Sequence, residues 1–294
     1  MNPQQITSIK KAGAIVREVR EYAGKIIKKD MLLLDIAEQI ERKIIELGGK
    51  PAFPCNLGIN EYTAHYSPNH NDKTKASGLL KIDFGVAING YTADNAFSVD
   101  LENNEENKKL IQASEKALNE AIESIQQNKT LGEIGKSIQN VAEKSGFSPI
   151  RNLSGHSIEQ NDLHAGITIP NYDNGNRQVL KDGIYAIEPF VTIGMGIVYD
   201  GKPSGIYQLQ HPKNVRDSKT REILSYIIEE YSTLPFCSRW LVKKFGTRAL
   251  ISLSLLEHSG VLHHYAQLIE RSKAKVAQTE HTILINNGRV EVIS

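Results

Sequence analysis

Residues 81–94 read KIDFGVAINGYTAD and are the most informative stretch of the chain. Asn89-Gly90 is the preferred pair for a two-residue hairpin turn, because both turn positions need a positive φ. A turn at these residues places Gly85 opposite Asp94 in an antiparallel pair of strands. Because side chains alternate along a strand, Asp83 and Asp94 then share one face of the hairpin.

These two aspartates lie on diagonal positions, roughly 7–8 Å apart. Two carboxylates directed into an apolar interior repel each other unless a cation lies between them. An exposed hairpin face with two solvated aspartates is the alternative. The surrounding residues favour burial on both faces, and therefore metal ligation, because they are apolar: Ile82, Phe84, Val86, Ala93, Ala96 and Phe97.

Apolar residues at helical spacing predict two pairs of helices, each followed by strand-like sequence. The first pair covers residues 6–26 and 33–47, and Gly48-Gly49 ends its second helix. The second pair covers residues 110–125 and 131–141. The repeated order predicts an α+β fold whose two similar halves meet across a cleft, a common location for a site.

Residues 208–272 differ from this pattern and predict a small helical insertion, with apolar clusters at 250–256 and 261–268. After the insertion, Asn286-Asn287-Gly288 separates two strand-like runs and indicates a final hairpin. The predicted organisation is a catalytic domain of residues 1–207 and 273–294, interrupted by an insertion subdomain of residues 208–272.

Composition excludes several classes of protein. The 294 residues include 35 basic and 34 acidic side chains, so the net charge of +1 does not indicate a nucleic-acid or membrane partner. Cys55 and Cys237 are the only cysteines, and they suggest no disulfide framework. The N-terminus lacks the apolar region of a secretion signal, and no apolar run approaches the roughly 20 residues of a membrane span. We therefore expect a cytoplasmic protein.

Three further residues have metal-ligand chemistry: His156 after Gly155, Glu188 inside an apolar strand, and Glu280 ahead of the last apolar run. Each has an ordinary alternative, because a buried glutamate is more often a salt-bridge partner and a lone histidine is more often a core or surface residue. Their joint significance comes from a motif match.

At these residues the chain resembles the methionine aminopeptidases, which share the pita-bread fold with prolidases and creatinases. The resemblance covers nearly the whole chain through motifs that occur in order: Ala52-Phe53-Pro54, Asn60-Glu61, Ala64-His65-Tyr66, the two-aspartate hairpin, Gly155-His156, Leu163-His164-Ala165-Gly166 and Ile187-Glu188-Pro189. It implies a pita-bread fold with pseudo-twofold related halves. It also implies removal of the initiator methionine from nascent proteins, with preference for a small second residue.

The resemblance implies five ligands for two divalent ions: Asp83, Asp94, His156, Glu188 and Glu280. Asp94 and Glu280 would bridge the ions, with Asp83 on one ion and His156 and Glu188 on the other. Such an oxygen-rich donor set suits Mn, Fe or Co and tolerates Zn. Four carboxylates neutralise the four charges of two divalent cations.

Substrate-binding residues also follow from the resemblance. Glu188 would transfer a proton, and His65 and His164 would contact the substrate, with His164 bonding the scissile amide. A dry apolar pocket for methionine is expected to be lined by Phe53, Pro54, Cys55 and Leu163, with Cys55 acting as a small hydrophobic residue. Gly58 and Thr279 depart from the family pattern, which puts the shape of this pocket in question.

The insertion of 65 residues between Glu188 and Glu280 resembles the subdomain of type II enzymes, and the short segment before Asp83 resembles their archaeal form. The insertion resembles a winged helix. Its nine basic and six acidic residues are nearly balanced, so we expect it to wall the pocket and not to bind nucleic acid.

The expected partners are N-termini of nascent polypeptides, with transient ribosome contact, no membrane contact and a monomeric state. Two alternatives remain open: an X-Pro peptidase of the same fold, and a non-catalytic binding relative.

Overall fold

Two helices open the chain in the computed structural model, which describes residues 1–294. They are α1 (Pro3–Ile26) and α2 (Leu33–Glu46). Asn2 and Gln5 form a capping box at the start of α1, in which each side chain bonds the backbone N–H of the other residue. The strands that follow are β1 (Lys50–Pro51), β2 (Asn56–Ile59), β3 (Tyr62–Ala64), β4 (Leu79–Ile88) and β5 (Tyr91–Asp100).

Strands β4 and β5 form the predicted hairpin. Its turn residues Asn89-Gly90 have φ values of 53° and 79°, as a type I′ turn requires. Gly85 pairs with Asp94 in the ladder, and Asp83 lies opposite Ala96. The predicted register is confirmed, and alternation of side chains directs both aspartates to one face.

A second helix pair and a second set of strands follow, in the order that the repeat predicts. The first of these elements are α3 (Glu105–Gln126), α4 (Leu131–Lys144), β6 (Ser148–Pro149), β7 (Ser154–Ile158), β8 (Thr168–Pro170), β9 (Gly183–Ile187), β10 (Phe190–Thr192) and β11 (Val198–Leu209). The remaining elements are α5 (Ser218–Tyr231), β12 (Phe236–Cys237), α6 (Ser238–Phe245), α7 (Ala249–His258), β13 (Leu262–Glu270), β14 (Val276–Gln278), β15 (Glu280–Asn286) and β16 (Arg289–Val292).

One nine-stranded sheet runs through both halves in the order β1-β4-β5-β15-β9-β7-β8, with β2 beside β4 and β16 beside β15. Pairing of β5 with β15 joins the halves and puts Glu280 opposite Ala96. Helices α1 and α2 contribute to a core cluster of 27 residues with β4 and β5, whereas α3 and α4 contribute to one of 15 residues with β9 and β15. The predicted α+β fold of two halves is confirmed.

The insertion is less helical than the sequence predicts. Helices α5, α6 and α7 share a core of their own with β11 and β12. The apolar cluster at 261–268, predicted to belong to a helical region, lies instead largely in strand β13. This strand pairs along β11 from Glu270 opposite Val198 to Leu262 opposite Leu209. Short apolar runs fit either element, and here the distant partner strand decides the outcome.

None of the seven helices combines the length and the apolar composition that crossing a bilayer requires.

Candidate metal centre and substrate cavity

Five adjacent strands of the large sheet carry the predicted ligands to one place. Asp83 lies on β4, Asp94 on β5, Glu280 on β15 and His156 on β7, and Glu188 directly follows β9. All five side chains line a single cavity of ≈ 250 Å³. The sheet thus brings together residues that are up to 197 positions apart in sequence (280 − 83).

His156 stands close to two of the carboxylates. Its Nε2 atom lies 3.6 Å from Glu188 Oε1 and 3.8 Å from Asp94 Oδ2. Ligand atoms of Asp94, His156 and Glu280 all lie within 4.8 Å of one another. Direct N–H···O hydrogen bonds are shorter, with donor–acceptor distances of about 2.7–3.2 Å. The spacing is therefore wide enough for an ion to contact all three groups.

Unpaired oxygens show that a cation fits this cluster. Asp83 Oδ1, Asp94 Oδ1 and Glu280 Oε1 are buried and have no hydrogen-bond partner. Buried polar atoms without a partner are rare in folded proteins, and those that occur need an explanation such as a bound ion. Divalent cations would satisfy these oxygens, so the donor set fits the predicted metal.

Electrostatics supports the same conclusion. Burial raises the pKa of Asp83 to about 7. Burial also raises the pKa values of Asp94, Glu188 and Glu280 well above the ordinary range, and repulsion among the carboxylates adds to the effect. No lysine or arginine lines the cavity. Charge compensation must therefore come from outside the chain, and this buried Asp-His-Glu cluster binds divalent metal.

Both predicted substrate histidines line the cavity. His65 has a left-handed backbone (φ 59°), and its Nδ1 lies 3.2 Å from the carbonyl oxygen of Ala266 on β13. Because a carbonyl only accepts, Nδ1 carries the proton and Nε2 is left as an acceptor. Burial lowers the pKa of His65 to about 4, so the ring is neutral at pH 7.

His164 stands edge to face against His156, with ring centroids 4.4 Å apart. Burial lowers the pKa of His164, so this ring is also neutral near pH 7. A neutral imidazole keeps one N–H donor and one acceptor nitrogen. His164 can therefore donate a hydrogen bond to a substrate.

The predicted pocket residues divide into two groups. Phe53, Pro54 and Leu163 line the cavity, whereas Cys55 does not. The Cys55 side chain is fully buried in the main core cluster behind the wall. Burial raises the pKa of this thiol well above its ordinary value, which leaves it unreactive.

Several cavity residues escaped prediction from the sequence. Asn56 lines the cavity. Gln278, at the end of strand β14, donates a hydrogen bond from Nε2 to Glu188 Oε2 at 3.4 Å. Asn56 lies two residues after the Ala52-Phe53-Pro54 motif and Gln278 lies two residues before Glu280, so nearness to recognised residues is the available signal. Pro235, Tyr265 and Leu268 also line the cavity, but they belong to the insertion, and no local pattern marks them.

Structure explains the two departures from the family pattern. A Cβ atom at Gly58 would lie 2.1 Å from the Tyr62 carbonyl oxygen, so a serine does not fit this backbone. Thr279 is buried and its hydroxyl bonds Ser114 of α3 at 2.7 Å. Neither residue lines the cavity, so neither change alters a side chain of the pocket wall.

Comparisons with known proteins agree with this geometry. The sequence profile of metallopeptidase family M24 matches residues 7–287. The chain therefore belongs to metallopeptidase family M24, and the predicted pita-bread fold is confirmed.

Within that family, the chain is similar over nearly its whole length to archaeal methionine aminopeptidases. The methionine aminopeptidase of Methanocaldococcus jannaschii is 43% identical over 284 residues, which cover 96% of this chain and 95% of that protein. The methionine aminopeptidase of Pyrococcus horikoshii is 44% identical over 286 residues, which cover 96% of each chain. Among solved structures, a thermophilic Arx1 has a TM-score of 0.87 over 100% of this chain and 91% of that one. At 16% sequence identity, this structural similarity shows that the two proteins share a fold and nothing more.

Proposed function

We propose that the protein removes the initiator methionine from nascent proteins, with preference for a small second residue. It is a metalloaminopeptidase. The observation that carries the proposal is the convergence of five side chains on one cavity that apolar residues such as Phe53 and Leu163 also line; the five are Asp83, Asp94, His156, Glu188 and Glu280. The similarity to archaeal methionine aminopeptidases supports the choice of substrate.

The number of ions and their positions belong to the proposal. Two divalent ions, of Mn, Fe, Co or Zn, would be held by the five side chains. Asp94 and Glu280 would bridge the ions, Asp83 would bind one, and His156 and Glu188 would bind the other. Ions of this kind lower the pKa of water and polarise the scissile carbonyl. The raised pKa values of the four carboxylates mean that metal binding displaces protons.

Chain residues then orient the peptide and move protons. Glu188 borders the cavity and accepts the proton that the attacking water loses. His164, neutral at pH 7, donates a hydrogen bond to the scissile amide. His65 offers its unprotonated Nε2 to a donor of the substrate, because Ala266 holds the proton on Nδ1.

The cavity supports an exopeptidase of apolar specificity. Phe53 and Leu163 pack with Leu234 of the insertion in one apolar cluster at the cavity wall. A thioether side chain is unbranched and adapts to such a wall. The free amino terminus of the substrate carries the first residue toward the acidic centre, so an acetylated peptide is a poor substrate.

Proposed partners follow from this substrate. Nascent polypeptides emerge from ribosomes in the cytoplasm, so we place the enzyme there, with transient ribosome contact. We propose that it acts as a monomer, because all five proposed ligands come from one chain.

A peptide assay tests the proposal directly. Metal-reconstituted protein is given Met-Ala-Ser and an Ala-Pro peptide in parallel, and steady-state kcat/KM is measured for each. The expected result is cleavage of Met-Ala-Ser. Cleavage of only the proline peptide would identify an X-Pro peptidase, and cleavage of neither would identify a non-catalytic binding relative.

A further inference from the structure

Glu41 and Arg239 form a buried ion pair between the catalytic domain and the insertion. Glu41 lies on α2 and Arg239 on α6, 198 residues apart in sequence. Two parallel bonds join them, Nη1 to Oε2 at 2.8 Å and Nη2 to Oε1 at 2.7 Å. Both side chains are almost fully buried, with 8% and 3% of their surfaces exposed. A bidentate pair of this kind fixes both distance and orientation.

In addition to Arg239, the Glu41 carboxylate binds a segment of the cavity wall. Its Oε1 accepts the backbone N–H of Cys55 at 3.2 Å, and its Oε2 accepts the indole N–H of Trp240 at 2.8 Å. Pro54 and Asn56, the neighbours of Cys55, both line the substrate cavity. The carboxylate therefore anchors the middle of a wall segment, residues 53–56.

Arg239 also binds a second chain segment that contributes to the cavity wall. Its Nε donates to the carbonyl oxygen of Pro68 at 2.9 Å. Pro68 lies three residues after His65, which lines the cavity with Ala64. Arg239 also lies four residues after Pro235, which belongs to the cavity wall contributed by the insertion. Through Glu41 and Pro68, the guanidinium thus links two chain segments that contribute cavity-lining residues, and a third such residue precedes it closely in sequence.

From these contacts we infer that Glu41 and Arg239 are positioning residues that set the width of the substrate pocket. They hold residues 53–56 and 64–68 of the catalytic domain against the insertion. The inference rests on the proposed aminopeptidase function and adds to it the residues that maintain side-chain selectivity. Neither residue lines the cavity, so neither touches the substrate or the metal.

A pocket held this way should lose selectivity when the pair is removed without leaving a charge behind. The test variant is Glu41→Met combined with Arg239→Met, since apolar replacement of both partners of a buried pair is commonly tolerated by the fold. Circular dichroism and cooperative unfolding establish that the variant is folded. Metal content is measured by mass spectrometry alongside kcat and KM for Met-Ala-Ser and Leu-Ala-Ser.

The matched control is the pair formed by the half-buried Glu38 and the exposed Lys243, which joins the same two helices at 3.7 Å. Its variant, Glu38→Gln with Lys243→Met, removes a contact between α2 and α6 that does not reach the cavity. We expect this control to keep the ratio of kcat/KM for the two peptides within about twofold of wild type, since exposed pairs contribute little.

The expected result for the buried pair is different. The ratio of kcat/KM for Met-Ala-Ser over Leu-Ala-Ser falls by about tenfold, within the range that one apolar pocket can discriminate. The loss appears mainly as a higher KM for Met-Ala-Ser, while the metal content is unchanged. A purely structural role would lower stability and leave the ratio of the folded protein intact.

A second variant keeps the inference falsifiable if the double variant does not fold. Arg239→Lys retains the charge but loses the planar fork that reaches Glu41 and Pro68 together. It should show a partial loss of the same ratio at wild-type metal content. A ratio within about twofold of wild type, in whichever of these variants folds, would overturn the inference.

Failure of the inference can be told apart from failure of the proposed function. If the wild-type protein cleaves neither peptide, the aminopeptidase assignment is wrong and the inference fails with it. If the wild type is active and the variants keep its selectivity, only the positioning role is contradicted.

Discussion

His156 Nε2 faces Asp94 Oδ2 across 3.8 Å, from strands that two other strands of the sheet separate. Bonds from a transition-metal ion to imidazole nitrogen or carboxylate oxygen are about 2.0–2.2 Å long. An ion between these two atoms therefore fits the observed separation without movement of the strands. Strand pairing in the sheet thus holds the two atoms at a spacing that suits an ion.

Asp94 is the side chain whose replacement should have opposite effects on function and on metal-free stability. In Asp94→Asn, turnover and metal retention should both be lost, because the carboxylate that we propose to bridge the ions is removed. The metal-free variant should be more stable than metal-free wild type. An amide N–H can donate to Glu280 Oε1, which otherwise lacks a partner, and each unsatisfied buried acceptor costs about 1–3 kcal/mol.

Denaturant unfolding in the presence of chelator measures this stability, and mass spectrometry measures the retained metal. Asp200→Asn, at an exposed site on β11, serves as the control and should change neither quantity. Full activity of Asp94→Asn would contradict the assigned role of Asp94.

Asp83 should make the stability of the metal-free protein depend on pH. Burial raises its pKa from 3.8 to about 7, so the folded state binds the proton more tightly than the unfolded state. The contribution of protonated Asp83 to the free energy of unfolding is fully present below about pH 4. It is lost as the pH rises through 7. Asparagine at this position does not ionise. The free energy of unfolding of Asp83→Asn minus that of wild type should therefore increase between pH 4 and 7.

Parallel urea titrations of both proteins with chelator, at several pH values, measure that difference. Above pH 7 it should level off, because Asp83 is then ionised in both states. A difference that stays constant across this window would show that Asp83 titrates at its ordinary pKa.

His164 should contribute to turnover without contributing to metal binding. In His164→Ala, we expect kcat to fall by roughly 10²–10³-fold, the range typical of losing one hydrogen-bond donor to the reacting group. Metal content should match wild type, because the ring lies against His156 and is not one of the five proposed ligands. Stopped-assay kinetics with metal analysis of the same sample measure both. Loss of metal together with activity would make His164 a ligand.

Cys55 should be dispensable for chemistry. Its thiol is fully buried behind the cavity wall, and its pKa is raised by burial. Cys55→Ala should keep kcat within about twofold of wild type, since an unreactive thiol supplies no nucleophile. Wild-type protein should also survive treatment with iodoacetamide under native conditions. Inactivation of wild type but not of Cys55→Ala would contradict this account.

Local sequence was sufficient for the hairpin. The turn preference of Asn89-Gly90 and the alternation of side chains determine how Asp83 and Asp94 face, and both are short-range effects. The helix pairs were similarly predictable, because apolar spacing and the glycines after α2 act over a few residues.

Features that depend on contacts between residues far apart in sequence could not be predicted. Strand β13 could not be predicted, because its conformation depends on alignment with β11, more than fifty residues earlier. The same limit concealed the contributions of Pro235 and Tyr265 to the cavity and the bond between Glu41 and Arg239. His156, Glu188 and Glu280 were found through family motifs, since nothing in their immediate neighbours distinguishes a ligand from a core residue.

The most direct test of the metalloaminopeptidase account is the cleavage of Met-Ala-Ser by metal-depleted protein, measured before and after stepwise addition of Mn(II) under anaerobic conditions. The account predicts no turnover in the depleted protein. Turnover should appear on addition and reach its plateau at about two ions per chain, with the acetylated peptide left intact. Equal turnover by the depleted protein, or a reconstituted protein that leaves Met-Ala-Ser uncleaved, would contradict it.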